Sequence, residues 1–400
     1  MTHALYYGKQ TIEQADIEAV TRVLRSDFLT QGPIVSQFEN QLAETLNVAH
    51  VIACSNGTAA LHLACLGLNI TADDEVWVSA VSFVATANCA RYCGARVRFI
   101  DIDPLTANVS IQALSDMLQQ AQQQGSRLPK AVIVVHLGGS SCDMQAIHQL
   151  CHPRGIAIIE DACHALGGHY QQQPIGNCHY SDCCVFSFHP VKSITTAEGG
   201  AVSCQDPQFA QRIRLLASHG ITKDPQHWCG DTAGISPGYS EQQLLGYNFR
   251  LSDLQAALGV AQLTRLEPWI ERRHQIIHRY RQAFNSILDM QHILPDSYSA
   301  YHLAIILCQD QQQRDQLYQS LAQQHIFAQL HYMPIYRHPY YQQQSPEDFA
   351  AYPGAESYYQ RALSLPIYPQ LSDIEQQQVI DGTLSSIIAC RRPKFATSNR

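Results

Sequence analysis

Short apolar runs alternate with helix-spaced amphipathic stretches through the first half of the chain. Runs at 50–53, 75–79, 97–102, 131–136, 156–160 and 184–188 have strand length, and 200–203 reads as a returning strand. Several of them, such as AVIVV and IAII, are apolar at every position. That pattern suits strands covered on both faces, as in a mostly parallel sheet. The intervening TAALHLACLGL and IQALSDMLQQA carry helical spacing and supply the crossovers that parallel strands require. The first half is therefore predicted to be an α/β domain around a mostly parallel seven-stranded sheet.

Residues 251–284 continue in a helical pattern, which Pro268 is expected to bend or divide. Beyond it, HLAIILC and IFAQLHY read as strands around a helix at 311–323, which makes a small α+β unit. The expected division is a large domain over 1–250, with its first 15 or so residues as an arm, and an interdomain helix with a small C-terminal domain over 251–400. The glutamine clusters at 119–124 and 171–173 suit solvated helix ends and turns.

Composition narrows the classes. An apolar fraction of 46% with 15% charged residues is that of a folding chain, not of a disordered one. A formal net charge of -8 and the lack of any basic run argue against a nucleic-acid partner. MTHALYYGKQ has no basic-then-apolar leader pattern, and no stretch offers eighteen uninterrupted apolar residues. A cytoplasmic protein with no membrane partner is expected, its fourteen cysteines carried as reduced thiols.

Three motifs carry chemistry. SNGTAAL puts Asn56, Gly57 and Thr58 between a strand and a helix, where free amides and the helix dipole can hold a phosphate; a glycine turn with a threonine N-cap is an equal reading of this motif alone. IIEDACHALG puts Asp161 just past a strand with His164 three residues on. Alone, this acid reads most simply as a helix cap, yet a pyridine cofactor acting as electron sink needs such a carboxylate beside its ring nitrogen. FSFHPVKSITTAEGG sets Ser187 and Lys192 after a further strand, in a chain with only four other lysines. A loop lysine at the surface is the plain alternative. Together the motifs supply a phosphate cradle, a ring partner and an amine in the order used by pyridoxal phosphate (PLP) enzymes.

SNGTAAL, VSFVATANC, IIEDACHALG, FSFHPVKSITTAEGG and GYNFRLSDLQAALG resemble, over nearly the whole chain, the sugar aminotransferases of the DegT/DnrJ/EryC1/StrS group. The resemblance implies PLP-dependent transferase fold type I, like that of aspartate aminotransferase, working as a homodimer with shared active sites. It implies a Schiff base at Lys192, Asp161 on the ring nitrogen, and Gly57, Thr58 and Ser187 on the phosphate. Phe83, otherwise a core phenylalanine, matches the ring-stacking position, and His164 lies beside the cofactor oxygen. Asn248 of GYNFR, otherwise an ordinary turn, matches a residue that reaches the neighbouring subunit's phosphate.

Within the group, FSFHPVKSITTAEGG, the Tyr7 to Asp16 spacing, DFLTQGP and AQLHYMPIY are most similar to the aminotransferases of pseudaminic acid biosynthesis. By that likeness the donor is L-glutamate and the acceptor a UDP-linked 4-keto sugar, UDP-2-acetamido-2,6-dideoxy-β-L-arabino-hex-4-ulose. Tyr7, Asp27, Phe28, Leu29, Thr30, Gln329, Leu330, His331 and Tyr332 are then substrate contacts, with Ser187 and Asn248; domain-interface residues are the plain alternative for these segments. Relatives acting on perosamine, legionaminic-acid or 4-amino-arabinose precursors share the same core. Pro190 stands where some relatives have alanine. The cysteines and histidines between Cys142 and His189 raise a metal-binding alternative, but they contain no C-x-x-C pair, and no metal is expected. A regulatory relative without catalysis is argued against by Lys192, which known dehydratase offshoots replace.

Overall fold

The computed structural model describes residues 4–230 and 238–391. Seven strands form the central sheet: β1 (His50–Cys54), β2 (Glu75–Ser79), β3 (Arg96–Ile100), β4 (Ala131–Val135), β5 (Ala157–Asp161), β6 (Cys183–Ser187) and β7 (Gly200–Cys204). Their spatial order is β1-β7-β6-β5-β4-β2-β3. β7 runs antiparallel to both neighbours and the other pairings are parallel. All seven predicted strands form, with ends shifted by one or two residues.

The apolar runs are two-faced because successive side chains point to opposite sides of the sheet. Val76, Val78, Ile133 and Ile159 join one core cluster, and Trp77, Val132, Val134 and Ile158 join the cluster on the other face. Each such side chain adds about 1.5–3 kcal/mol of burial, which fixes the register wherever both faces are covered.

The return strand sets the geometry of the sheet edge beneath the first turn. Because β7 is antiparallel, its first residue, Gly200, pairs with Cys54 of β1 and Ser187 of β6, at the carboxyl ends of both. A Cβ there would lie 2.5 Å from the Asn56 carbonyl oxygen. Only glycine lets the turn after β1 come down onto the sheet edge.

A second core cluster joins the helices Leu266–Phe284, Gln311–Gln323 and Asp373–Arg391 to a three-stranded antiparallel sheet of Asp289–Met290, Ala304–Leu307 and Ala362–Leu365. The helical pattern at 251–284 divides into Asp253–Leu263 and Leu266–Phe284. Pro268 sits in the first turn of the second helix, where a missing N–H costs no intrahelical bond. The strand expected from IFAQLHY is a correction. Only Ile326–Phe327 is strand, paired in parallel with Leu5–Tyr6, while Gln329 makes one isolated bridge to Ser364. The rest leaves the sheet to line a cavity, so its backbone has no ladder partner. The same pairing brings the N-terminal arm across and sets Tyr7 beside that cavity.

Replacing Gly200 with alanine is expected to cost roughly 1–3 kcal/mol through overpacking against backbone atoms that cannot rotate away. Urea unfolding monitored by circular dichroism reads this as a lower midpoint, and an unchanged midpoint would show that the turn can yield.

Candidate active site

The carboxyl ends of β1, β5 and β6 open into a cavity of about 950 Å³, the position where open α/β sheets collect ligands. Asn56, Gly57, Thr58, Phe83, Asp161, His164, Ser187, Lys192, Tyr7 and the segment Gln329 to Tyr332 all line it. A larger cleft of about 1290 Å³, bordered by Gly167, Pro268 and Tyr298, contains none of the predicted site residues.

One end of the cavity is a helix N-terminus. Asn56, not Thr58, caps the helix Gly57–Gly67: its side-chain oxygen accepts the Ala59 N–H at 2.8 Å and its carbonyl accepts that of Ala60. The cap leaves the amides of Gly57 and Thr58 with no partner among the described residues. They open onto the cavity together with the Ser187 hydroxyl, and the positive end of the helix dipole adds to their pull on an anion. Gly57 is buried against β6, and a Cβ on it would stand 2.9 Å from that of Ser187.

Asp161 forms the floor and is 5% exposed. The Thr86 hydroxyl donates to its Oδ2 at 2.7 Å, and the Cys163 amide donates to Oδ1 at 3.2 Å. Ser82 lies 2.7 Å from the Thr86 hydroxyl, so a two-hydroxyl chain ends on the carboxylate. Lys192 follows a turn in which its amide donates to the His189 carbonyl at 2.9 Å. Desolvation lowers the pKa of its amine from the ordinary 10.5, opposed by the charges of Cys163 and Asp161. No hydrogen bond or ion pair holds that amine among the described residues. Burial and the Asp161 charge push the Cys163 thiol well up, which keeps it protonated.

The opposite wall is aromatic. The Gly138 amide donates to Nδ1 of His164 at 3.4 Å, so the ring proton sits on Nε2, which faces the Tyr332 hydroxyl at 3.3 Å. Burial, then the Lys192 charge, holds His164 well below its usual range and lowers His331 to about 3. Both rings are neutral. Nδ1 of His331 is 2.9 Å from the Ser364 hydroxyl, and its backbone carbonyl accepts from Tyr358 at 2.7 Å. These contacts tie the segment to the three-stranded sheet through Ser364 and to the helix Pro353–Arg361 through Tyr358. Phe83 is 57% exposed and tilts toward Tyr332 with centroids 6.2 Å apart. The ring is open to a stacking partner, which a core phenylalanine is not.

Two predicted segments lie elsewhere. Asp27, Phe28, Leu29 and Thr30 are exposed and line no part of the cavity of this chain, and neither does Asn248. Thr30 bridges to Ser252 and the Asp253 amide donates to the Leu29 carbonyl at 3.0 Å, while Asn248 bridges to Ser218. The sequence reading missed Thr86 and Cys163, although both stand inside quoted motifs, three residues past Phe83 and two past Asp161. It also missed Glu198, inside FSFHPVKSITTAEGG, and His62, Tyr92 and His338, which line the cavity from outside those motifs. Among the described residues no three His, Cys, Asp or Glu side chains converge as a metal site.

Known proteins resemble this chain in sequence and in fold. A spore coat polysaccharide biosynthesis protein of Bacillus subtilis, SpsC, is 36% identical over 386 residues, covering 95% of this chain and 96% of its own. A UDP-4-amino-4,6-dideoxy-N-acetyl-beta-L-altrosamine transaminase of Campylobacter jejuni is also 36% identical, covering 96% and 97%. Among solved structures, Helicobacter pylori PseC, an aminotransferase of pseudaminic acid biosynthesis, superposes with a TM-score of 0.87 at 30% identity, over 97% of this chain and 100% of that one. A putative sugar aminotransferase of Streptococcus pneumoniae in its PLP form has a TM-score of 0.87 at 26% identity, over 97% and 99%. The DegT/DnrJ/EryC1/StrS aminotransferase family profile matches residues 10–383, and with relatives this similar along nearly their whole length the chain belongs to that family.

Proposed function

We propose that this sugar aminotransferase uses PLP to move the amino group of L-glutamate to C4 of UDP-2-acetamido-2,6-dideoxy-β-L-arabino-hex-4-ulose. The observation that carries the reading is the shared cavity of Asp161 and Lys192 with a free helix N-terminus beside them. The residues fit the cofactor: the Gly57 and Thr58 amides and Ser187 suit a phosphate, Asp161 a ring nitrogen, and the open face of Phe83 a pyridine ring. When bound, PLP supplies an electron sink that stabilises negative charge at the carbon attached to the transferred amine.

The chain supplies the rest. Lys192 Nζ takes the proton from the donor's α-carbon and returns it within the cavity, and its lowered pKa raises the fraction of neutral amine able to do so. Asp161 stays oriented because Thr86 and the Cys163 amide hold both its oxygens. His164 offers an Nε2–H, and Tyr332 a hydroxyl, toward the polar groups of cofactor and sugar. Tyr7 and Gln329 to Tyr332 border the space left for the acceptor.

Asn248 and Asp27 to Thr30 act in the site of the second subunit in this reading. Phe28 and Leu29 beside one segment and Leu245 and Tyr247 beside the other are large, apolar and 37–84% exposed, which suits burial by another chain. Residues 1–250 then form the PLP-holding domain and 251–400 the interdomain helix with the small domain. A cytoplasmic setting suits a reaction that draws on PLP and UDP-sugars, and no described helix is long and apolar enough to cross a membrane. The second reading is another nucleotide-linked 4-keto-6-deoxy sugar as acceptor, since one relative of equal identity is a spore coat polysaccharide biosynthesis protein.

Incubation with glutamate and a panel of UDP- and dTDP-linked 4-keto sugars, with products assigned by NMR, should give the 4-amino product from the named UDP sugar fastest. A faster dTDP sugar would replace the acceptor and leave the transaminase reading standing. Lys192→Ala should lower turnover by at least about 10³-fold, as loss of the proton carrier does, and borohydride should no longer fix PLP to that peptide.

Thr86→Val should weaken PLP retention about tenfold, the equivalent of one hydrogen bond to a buried carboxylate. Equilibrium dialysis measures it, and Thr86→Ser should restore it. Equal retention in all three proteins would remove Thr86 from the role.

Mixing inactive Lys192→Ala with inactive Asn248→Asp protein should recover part of the activity once subunits exchange, because one of the two sites then carries neither defect. No recovery after proven exchange would assign Asn248 to its own chain's site.

A further inference from the structure

Among the described residues each ring nitrogen of His164 has a single hydrogen-bond partner, the Gly138 N–H for Nδ1 and the Tyr332 hydroxyl for Nε2. His302 packs against the same ring with centroids 4.3 Å apart, but its own Nδ1 is buried without a partner. The N–H that meets Nδ1 belongs to the Leu137–Gly138 peptide. At the other end of that peptide, the Leu137 carbonyl accepts from the side-chain nitrogen of Gln291 at 2.9 Å, and the same nitrogen donates to the Thr106 carbonyl at 2.7 Å. Two carbonyls on one nitrogen fix this amide, because a half-turn would set its oxygen against both. The Leu137 N–H is held as well. Oδ1 of Asn108 accepts it at 3.0 Å, while Nδ2 of Asn108 donates to the Ser140 and Ser141 carbonyls at 3.0 and 2.9 Å.

Gln291 and Asn108 are both buried. Gly138 has a φ of +70°, and a Cβ on it would stand 2.5 Å from Oε1 of Gln291, so this peptide orientation requires glycine. Gln291 itself follows the strand Asp289–Met290 and donates its own N–H to the Ile305 carbonyl at 3.0 Å. A side chain anchored in the three-stranded sheet thus grips a turn at the end of the central sheet.

We propose that Gln291 is a positioning residue: by holding the Leu137–Gly138 peptide it keeps the His164 proton on Nε2 and so turns the Tyr332 hydroxyl proton into the cavity, as a donor to the bound ligand. The inference rests on the transaminase reading for the identity of that ligand. His164 is neutral, so one of its two nitrogens carries the proton and the other accepts. With Nδ1 accepting from Gly138, Nε2–H donates to the Tyr332 oxygen, and the Tyr332 proton is left for the ligand. Were the peptide to turn over, the Leu137 carbonyl would face Nδ1 and draw the proton there. Bare Nε2 would then accept the Tyr332 proton, and a ligand would meet an oxygen lone pair in place of a donor. Gln291 opposes that state, because the turned peptide would set the Gly138 N–H against the Gln291 amide nitrogen, donor against donor.

Holoenzyme grown with isotope-labelled histidine would be compared with Gln291→Met, which keeps the volume of the side chain and loses its donor. The His164 signals are identified by their loss in His164→Gln, and nitrogen NMR shifts show which ring nitrogen is protonated. The expected result is Nε2–H in the wild type and a balance moved about tenfold toward Nδ1–H in Gln291→Met, the equivalent of one hydrogen bond. A role confined to stability would lower the melting temperature and leave that balance in place. In a second arm, kcat/KM for the UDP-linked 4-keto sugar at saturating glutamate should fall about tenfold in Gln291→Met and in Tyr332→Phe, and no further in the double variant, since both remove the same donor. The proposal falls if wild-type His164 carries its proton on Nδ1, if Gln291→Met leaves the balance unchanged, or if the two substitutions multiply. Should Gln291→Met not fold, neutron diffraction from wild-type crystals decides. Deuterium on Nε2 with the Tyr332 O–D turned into the cavity supports the proposal, and any other placement overturns it. A lack of amino transfer to every sugar would defeat the proposed function, while the tautomer measurement, which needs no sugar, would still decide the role of Gln291.

Discussion

The structure depends on keeping a carboxylate and an amine desolvated in one cavity. A buried ion costs several kcal/mol unless hydrogen bonds and an opposite charge compensate it. Asp161 meets that demand with the Thr86 hydroxyl and the Cys163 amide, and Lys192 is drawn to it by charge while burial opposes. Removing any one of these leaves the others with an uncompensated group. The position of Asp161 follows in turn from β5, which pairs in register with β4 and β6 and is apolar up to its last two residues.

The same sheet edge explains the helix N-terminus. Gly200 and Gly57 allow the turn after β1 to sit against β6, which leaves two amides and the Ser187 hydroxyl facing one space. An open helix N-terminus and a buried acid with an amine beside it thus come from one topological fact, the antiparallel return of β7 between β1 and β6. The neutral histidines have a related origin. His164 and His331 are buried near a cationic lysine, so each is held in its uncharged form, and the backbone amide of Gly138 decides which nitrogen of His164 carries the proton.

The abundance of cysteine becomes intelligible by position. Cys54, Cys183, Cys184 and Cys204 are core residues of the central strands and act as small apolar side chains. Cys163 serves through its backbone amide. Cys93 is half-buried and Cys229 exposed, a distinction that composition cannot express.

The alternation of fully apolar runs with helical stretches determined the α/β class and all seven sheet strands, because a parallel sheet covered on both faces leaves its strands few polar positions. The residue types at the strand ends likewise identified Gly57, Asp161, Ser187 and Lys192 as one set, since the chemistry needs an anion cradle, an acid and an amine together. Tertiary structure alone decided the rest. The cap fell to Asn56 instead of Thr58 because the turn had to pass over Gly200. The segment after Phe327 left its predicted strand because its backbone was tied to Ser364 and Tyr358, and Tyr7 arrived through a pairing between segments more than three hundred residues apart. Thr86 meets Asp161 across 75 residues of sequence. Such long-range contacts have no local period or propensity to announce them, whereas strands and caps do.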